Sequence, residues 1–186
     1  MLRRLAVLSL AAGLSACQSP QVNHDFDATR DFAAYRSWAW KEPAVQYRPD
    51  DPRLRSDLTE QRIRQAVSSQ LDQRGLRPAA AGTRADMTVQ AYLIIDNRQQ
   101  QITTNYGAGW GGYWGPYWGG PAMNETRSVD YKVSTLQLDL LDARDGKLIW
   151  RGSTEQVVND QAVSPTDRTL AVQNAVIKIL SAYPPR

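Results

Sequence analysis

Two stretches of this sequence carry residues whose chemistry goes beyond packing. The first is Leu14-Ser15-Ala16-Cys17, where the only cysteine of 186 residues follows an apolar run and two small residues. A thiol so placed is positioned to be consumed as a thioether to lipid, which would leave the folded body with no disulfide, Cys-ligated metal or thiol nucleophile. A coincidental or buried structural cysteine is the alternative reading. The second stretch presents Trp110, Tyr113, Trp114, Tyr117 and Trp118 with a four-residue period among glycines and a proline. Glycine and proline at that density exclude a regular helix or central strand, so the rings belong to a loop. Exposed Trp and Tyr stack on sugars, sit at bilayer interfaces or anchor protein partners. A low-complexity insertion that folds back on its own sheet is the plainer reading of the same residues.

The remaining polar residues make no constellation. His24 is the only histidine, so a multi-histidine metal site is excluded and it reads as a strand residue. Asp50-Asp51 sits in a proline-rich loop and Asp142 with Asp145 flanks a turn, where turn chemistry and solvation explain the carboxylates better than general acid–base work. No histidine is placed to activate a serine, and no phosphate-cradling or zinc pattern occurs. The expectation is therefore no catalytic residue, no metal, no cofactor and no enzymatic activity. Arg53, Arg55, Arg62, Arg64 and Arg74 could meet anionic lipid or glycan, although a solvated helix face explains them as well.

Cys17 must be delivered by what precedes it. Met1-Leu2-Arg3-Arg4 supplies positive charge, and Leu5 to Leu14 is too short to span a bilayer but long enough for the apolar core of a signal peptide. Leu14-Ser15-Ala16-Cys17 resembles the lipobox of bacterial lipoproteins, which makes 1–16 a removable signal and 17–21 a lipidated tether. Gln18, in place of aspartate, resembles the sorting pattern of outer-membrane lipoproteins, facing the periplasm. The whole chain has 22 Lys plus Arg against 19 Asp plus Glu, and Arg3 and Arg4 leave with the signal. The near-neutral body gives a nucleic-acid partner no support. The expected partners are the membrane, through the N-terminal lipid, and an envelope protein or glycan.

The elements that position these residues follow from periodicity. Val22, His24 and Phe26 alternate as a strand, and Ser37-Trp38-Ala39-Trp40 puts two tryptophans on one face. Residues 41–55, with three prolines, predict a loop. Asp57-Leu58-Thr59-Glu60 predicts a capping box opening a helix that buries Ile63, Ala66, Val67 and Leu71 and stops at Gly75. Residues 86–96 alternate cleanly, and the polar run from Arg98 to Asn105 continues the sheet weakly, as an outer or edge strand. Val129, Tyr131 and Val133 shift parity to Leu136, Leu138 and Leu140, which predicts a bulge near Ser134-Thr135. Asp145-Gly146 predicts a hairpin returning through Ile149 and Trp150. Ser164-Pro165 opens a last helix that buries Val172, Ala175, Val176, Ile179, Leu180 and Tyr183.

This order predicts an α+β two-layer sandwich, an antiparallel sheet of about four or five strands with two helices on one face, forming one domain over 22–185 with a Gly/Trp/Tyr-rich loop at 106–121. Asp31-Phe32 with Tyr35, Trp38-Ala39-Trp40, Ala85-Asp86-Met87, Thr135-Leu136-Gln137-Leu138-Asp139-Leu140 with Asp142, Lys147-Leu148-Ile149-Trp150-Arg151-Gly152, and Tyr183-Pro184-Pro185 together resemble the domain of unknown function 4136 of bacterial lipoproteins. Ser134 stands where a glycine is expected and Tyr183 where phenylalanine is commoner. The resemblance implies an envelope lipoprotein and supplies no catalytic residues. The expected role is a membrane-anchored structural or interaction module, with glycan or membrane-surface binding through the Trp/Tyr loop as the alternative.

Overall fold

The computed structural model describes residues 22–106, 123–158 and 163–185. Six strands, β1 (Val22–Phe26), β2 (Ser37–Arg48), β3 (Arg77–Pro78), β4 (Met87–Tyr106), β5 (Met123–Asp142) and β6 (Leu148–Val157), form one sheet in the order β1-β6-β5-β4-β2-β3. Helices α1 (Asp57–Gln73) and α2 (Pro165–Leu180) complete the α+β architecture. The sheet exceeds the expected four or five strands, and it is mixed rather than antiparallel. β2 runs parallel to both β4 and β3. The cause is α1, which lies between β2 and β4 in sequence and returns the chain in the same direction, as parallel pairing requires.

Ladder partners fix the two faces. The row Trp40, Val89, Leu140, Trp150, Phe26 and the row Val45, Ala91, Leu138, Gly152, His24 carry side chains to the helix side. Both helices cover this face side by side. Arg62 Nε donates to Thr169 Oγ1 at 3.1 Å near their starts and Arg74 Nε donates to the Leu180 carbonyl at 3.1 Å near their ends, so the helices run parallel. The side chains buried from α1 are Ile63, Ala66, Val67 and Leu71, as the helical period predicts. From α2, Val176, Ile179 and Leu180 are buried, with Val172 and Ala175 packed at the margin. Trp150 is the largest fully buried side chain and meets Tyr183 edge-on at 5.6 Å. Gly152 is required here, since the Trp150 ring lies where a Cβ would stand, with Ile179 Cγ2 2.8 Å from the same point.

Three local expectations change. Residues 41–48 continue β2 instead of forming a loop. The ladder slips between Trp40 and Val45, and that bulge accommodates Pro43, which needs no donor there while its carbonyl accepts from Gln90 Nε2 at 2.9 Å. The bulge expected at Ser134-Thr135 is absent, because β4 and β5 pair without slippage from Met87↔Asp142 to Tyr106↔Met123. Val133 instead points to the uncovered face, and the slip lies in the next ladder, between β5 and β6, where Ile149 is the extra residue and joins Trp150 in the core. The α1 N-cap is Ser56, whose Oγ accepts from Thr59 N at 3.3 Å; Asp57 is the first helical residue and Glu60 pairs with Arg64. The α2 start is as expected, with Ser164 Oγ accepting from Asp167 N at 3.1 Å.

Candidate functional site

β4 and β5 outrun their neighbours. β2 pairs with β4 only to Ile94 and β6 pairs with β5 only to Val133. From Asn97↔Lys132 to Tyr106↔Met123, ten consecutive pairs continue as a two-stranded arm with both outer edges free of strand partners among the described residues. At about 3.3 Å per residue the arm is about 33 Å long. The expected weak outer strand from Arg98 to Asn105 is thus the outer half of β4. Residues 107–122 join the paired ends Tyr106 and Met123 in the chain. Trp110, Tyr113, Trp114, Tyr117 and Trp118 fall there, outside the described residues, as does Cys17.

The period of two gives the arm two unlike sides. Continuing the uncovered face of the sheet are Arg98, Gln100 and Ile102 opposite Tyr131, Val129 and Arg127. Ile102 is 41% exposed, a large apolar side chain in water. On the other side Gln99, Gln101 and Thr103 oppose Asp130, Ser128 and Thr126, where Gln99 Nε2 donates to Asp130 at 3.1 Å and the two threonine hydroxyls lie 3.2 Å apart. One side mixes Ile102, Val129 and Tyr131 with Arg98, Arg127, Gln100, Thr104 and Glu125, while the other is wholly polar.

At the arm's base, Arg98 donates to both carboxylate oxygens of Glu155 at 2.9 and 2.7 Å. Further along the same face, Arg151 grips Asp139 at 2.7 and 2.6 Å while Gln137 Nε2 donates to it at 3.0 Å, and Tyr92 OH donates to Gln90 at 3.0 Å. Arg48 lies over the Tyr92 ring at 5.4 Å. Gln90 and Asp139 are buried beneath these partners although no helix covers them.

The opposite end of the sheet holds a separate charge cluster. The Asp142 side chain is fully buried and its Oδ2 accepts from Arg144 at 2.9 Å, Arg30 at 3.0 Å and Tyr35 OH at 3.0 Å. Arg30 also binds Asp145 at 2.7 Å and Asp27 at 3.1 Å. Hydrogen bonds from Arg144 hold the Asp142 carboxyl well below the usual carboxylate range, and burial raises Tyr35. Arg30 likewise lowers Asp145. Turn chemistry describes both, Asp145 Oδ1 accepting from Lys147 N and Asp142 Oδ1 from Arg144 N, but solvation does not describe the buried Asp142. Its role is to pin the segment after β1 to the β5–β6 hairpin. Asp86 does similar work, lowered by backbone N–H donors from Arg36 and Ser37.

The other residues flagged by the sequence do not converge. Asp50 pairs with Arg55 and Asp51 with Arg53, and His24 stacks on Phe26 in β1. Arg64 binds Glu60 and Glu42 and lies 5.3 Å over Trp40. Arg74 donates to carbonyls at the end of α2. The arginines of α1 therefore join the helices to each other and to β2, which no local reading could show. An open groove of about 730 Å³ between the end of β2 and the first turn of α1 is lined by Arg48, Asp50, Arg55 and Glu60, of which Asp50 pairs with Arg55 and Glu60 with Arg64. Among the described residues no group of His, Cys, Asp and Glu could hold a metal ion, and no helix is long and apolar enough to cross a membrane.

A mixed six-stranded sheet backed by two parallel helices and extended by one long hairpin defines the class of domain. The chain belongs to the family described as Domain of unknown function (DUF4136), whose model matches residues 22–185. A DUF4136 family protein from Bacteroides thetaiotaomicron VPI-5482 is similar in structure, with TM-score 0.50 and 19% identity, covering 89% of this chain and 96% of that one. A PDZ domain protein from Parabacteroides distasonis ATCC 8503 gives TM-score 0.52 at 13% identity over 90% of this chain, which spans 36% of that protein's length. A PelC dodecamer from Paraburkholderia phytofirmans gives TM-score 0.46 at 10% identity, covering 88% and 96%. No curated protein matches the sequence. The structural likenesses are likenesses of fold.

Proposed function

We propose that this chain is a non-enzymatic lipoprotein of the bacterial envelope, acylated at Cys17, held at the periplasmic face of the outer membrane and acting as an interaction module. The observation that carries the reading is the arm. The domain extends two strands about 33 Å beyond its sheet, and the Trp/Tyr-rich residues join the ends of those strands. A hairpin with no covering layer adds little to the core, so its length is better explained by contact than by stability. The paired carboxylates support the absence of acid–base catalysis: Asp50, Asp51, Asp142 and Asp145 are each bound to arginine.

The alternative within this reading is glycan or membrane-surface binding through Trp110, Tyr113, Trp114, Tyr117 and Trp118. Replacing residues 107–121 by a short Gly/Ser linker and comparing capture on peptidoglycan and of envelope proteins tests the module. Loss of capture with unchanged melting temperature is expected. Undiminished capture would remove the aromatic segment from the function.

A further inference from the structure

The first residue of β1 and the base of the arm lie at the same end of the sheet. Val22, the first residue of β1, sits in the row Thr154, Leu136, Leu93, at the end of the sheet where β6 closes at Val157 and the arm begins beyond Val133. Five residues connect Val22 to Cys17, a reach of at most about 17 Å. Tyr106 lies thirteen residues along β4 from Leu93, about 43 Å at strand rise. The arm's end is thus more than twice as far from Val22 as an acylated Cys17 can be. An arm pointing straight at the bilayer would drive unpaired strand edges and glutamines into hydrocarbon, where unsatisfied backbone groups are not tolerated. An arm lying along the surface, with one side against it, avoids that cost.

The alternation selects the side. Ile102, Val129 and Tyr131 share one side with Arg127, while Arg98 at its base is held by Glu155, and Gln100, Thr104 and Glu125 complete that side. Apolar and aromatic groups so placed can enter the headgroup region, and Arg127 can meet phosphate. Among the described residues Arg127 has no ion-pair partner. The opposite side offers only amides, hydroxyls, Asp130 and Lys132.

We propose that the side of the arm bearing Ile102, Val129, Tyr131 and Arg127 is a second membrane contact, lying flat on the anionic headgroups of the bilayer that holds the Cys17 lipid. It rests on the lipid anchor proposed above and fixes how the body is oriented: uncovered arm face down, polar arm face outward. The contact is independent of residues 107–122.

The test uses the full-length acylated protein, whose Cys17 thiol is consumed, with single cysteines introduced as I102C, V129C, Q101C or S128C and labelled with an environment-sensitive fluorophore. In vesicles of phosphatidylethanolamine and phosphatidylglycerol, emission should shift blue and be quenched by brominated lipid at 102 and 129 but not at 101 and 128. R127E should reduce the shift at 102. Water-like emission at all four positions in vesicle-bound protein overturns the proposal, and so does equal quenching on both sides. A response at 102 and 129 to peptidoglycan fragments and not to vesicles overturns it in favour of a glycan. A chain that labels at Cys17 and fails to float with vesicles removes the anchor as well, a result distinct from the other three.

Discussion

Arg98 and Glu155 bind each other diagonally across β5, two strands apart, and Val133 lies beneath them. Arg98 stands opposite Tyr131 and Glu155 opposite Thr135, so the line joining them crosses β5 at Val133. This explains why Val133 is 3% exposed on a face that no helix covers. Both charges are themselves in water, and such pairs add little. R98A should leave the melting temperature near that of wild type, whereas V133D, which puts a carboxylate under the pair, should lower it clearly. Thermal denaturation of the two variants decides whether the bridge covers the valine or only accompanies it.

Asp142 is the buried charge on which the far end of the sheet depends. Its pKa is depressed below the unfolded value of about 3.9, so the unfolded state takes up more protons as pH falls through that range. The stabilisation is full above about pH 4 and is lost on further acidification. D142N should cost about 3 kcal/mol, the low end for breaking a buried pair, because Arg144 is 71% exposed and keeps its hydration. The variant should also show a flatter fall in stability below pH 4 in denaturant titrations.

Gly152 is fixed by the tryptophan beside it. G152A would place a methyl group against the Trp150 ring and Ile179 and should destabilise by about 1–3 kcal/mol, as overpacking does. Urea unfolding gives the value. A neutral result would show that the ring can move aside.

W150A should cost about 3–5 kcal/mol, since the indole is fully buried. Replacing residues 107–121 by a Gly/Ser linker should change the melting temperature little, because the core residues lie in the covered part of the sheet and on the helices. A linker variant as unstable as W150A would place the aromatic segment in the core.

What the sequence disclosed is what local periodicity encodes. Ile63, Ala66, Val67 and Leu71 on α1, the alternation of β4 from Met87 to Leu93 and the turn at Gly146, with its φ of 72°, each depend on neighbours in the chain. What escaped depends on distant partners. Pro43 spoils a strand pattern unless a bulge opposite Gln90 receives it, and Asp142 looks like a turn aspartate until Arg30 arrives from 112 residues away. The parity change between Val133 and Leu136 has two solutions, a bulge or a residue on the second face. The fold takes the second, with Val133 lying beneath the Arg98–Glu155 pair. The arm was hidden for the same reason: Gln99, Gln100 and Gln101 have no strand signature of their own, and their order comes from pairing with β5.

The decisive measurement concerns Cys17. Mass spectrometry of the mature N-terminus, together with membrane fractionation of the wild type and of C17A, reports on the anchor that the proposed function and the arm's orientation both require. Processed protein should begin at Cys17 with acyl mass and sediment with outer membranes, while C17A should lose that mass and its membrane association. Wild-type protein without acyl mass, or recovered wholly in the soluble fraction, would contradict it.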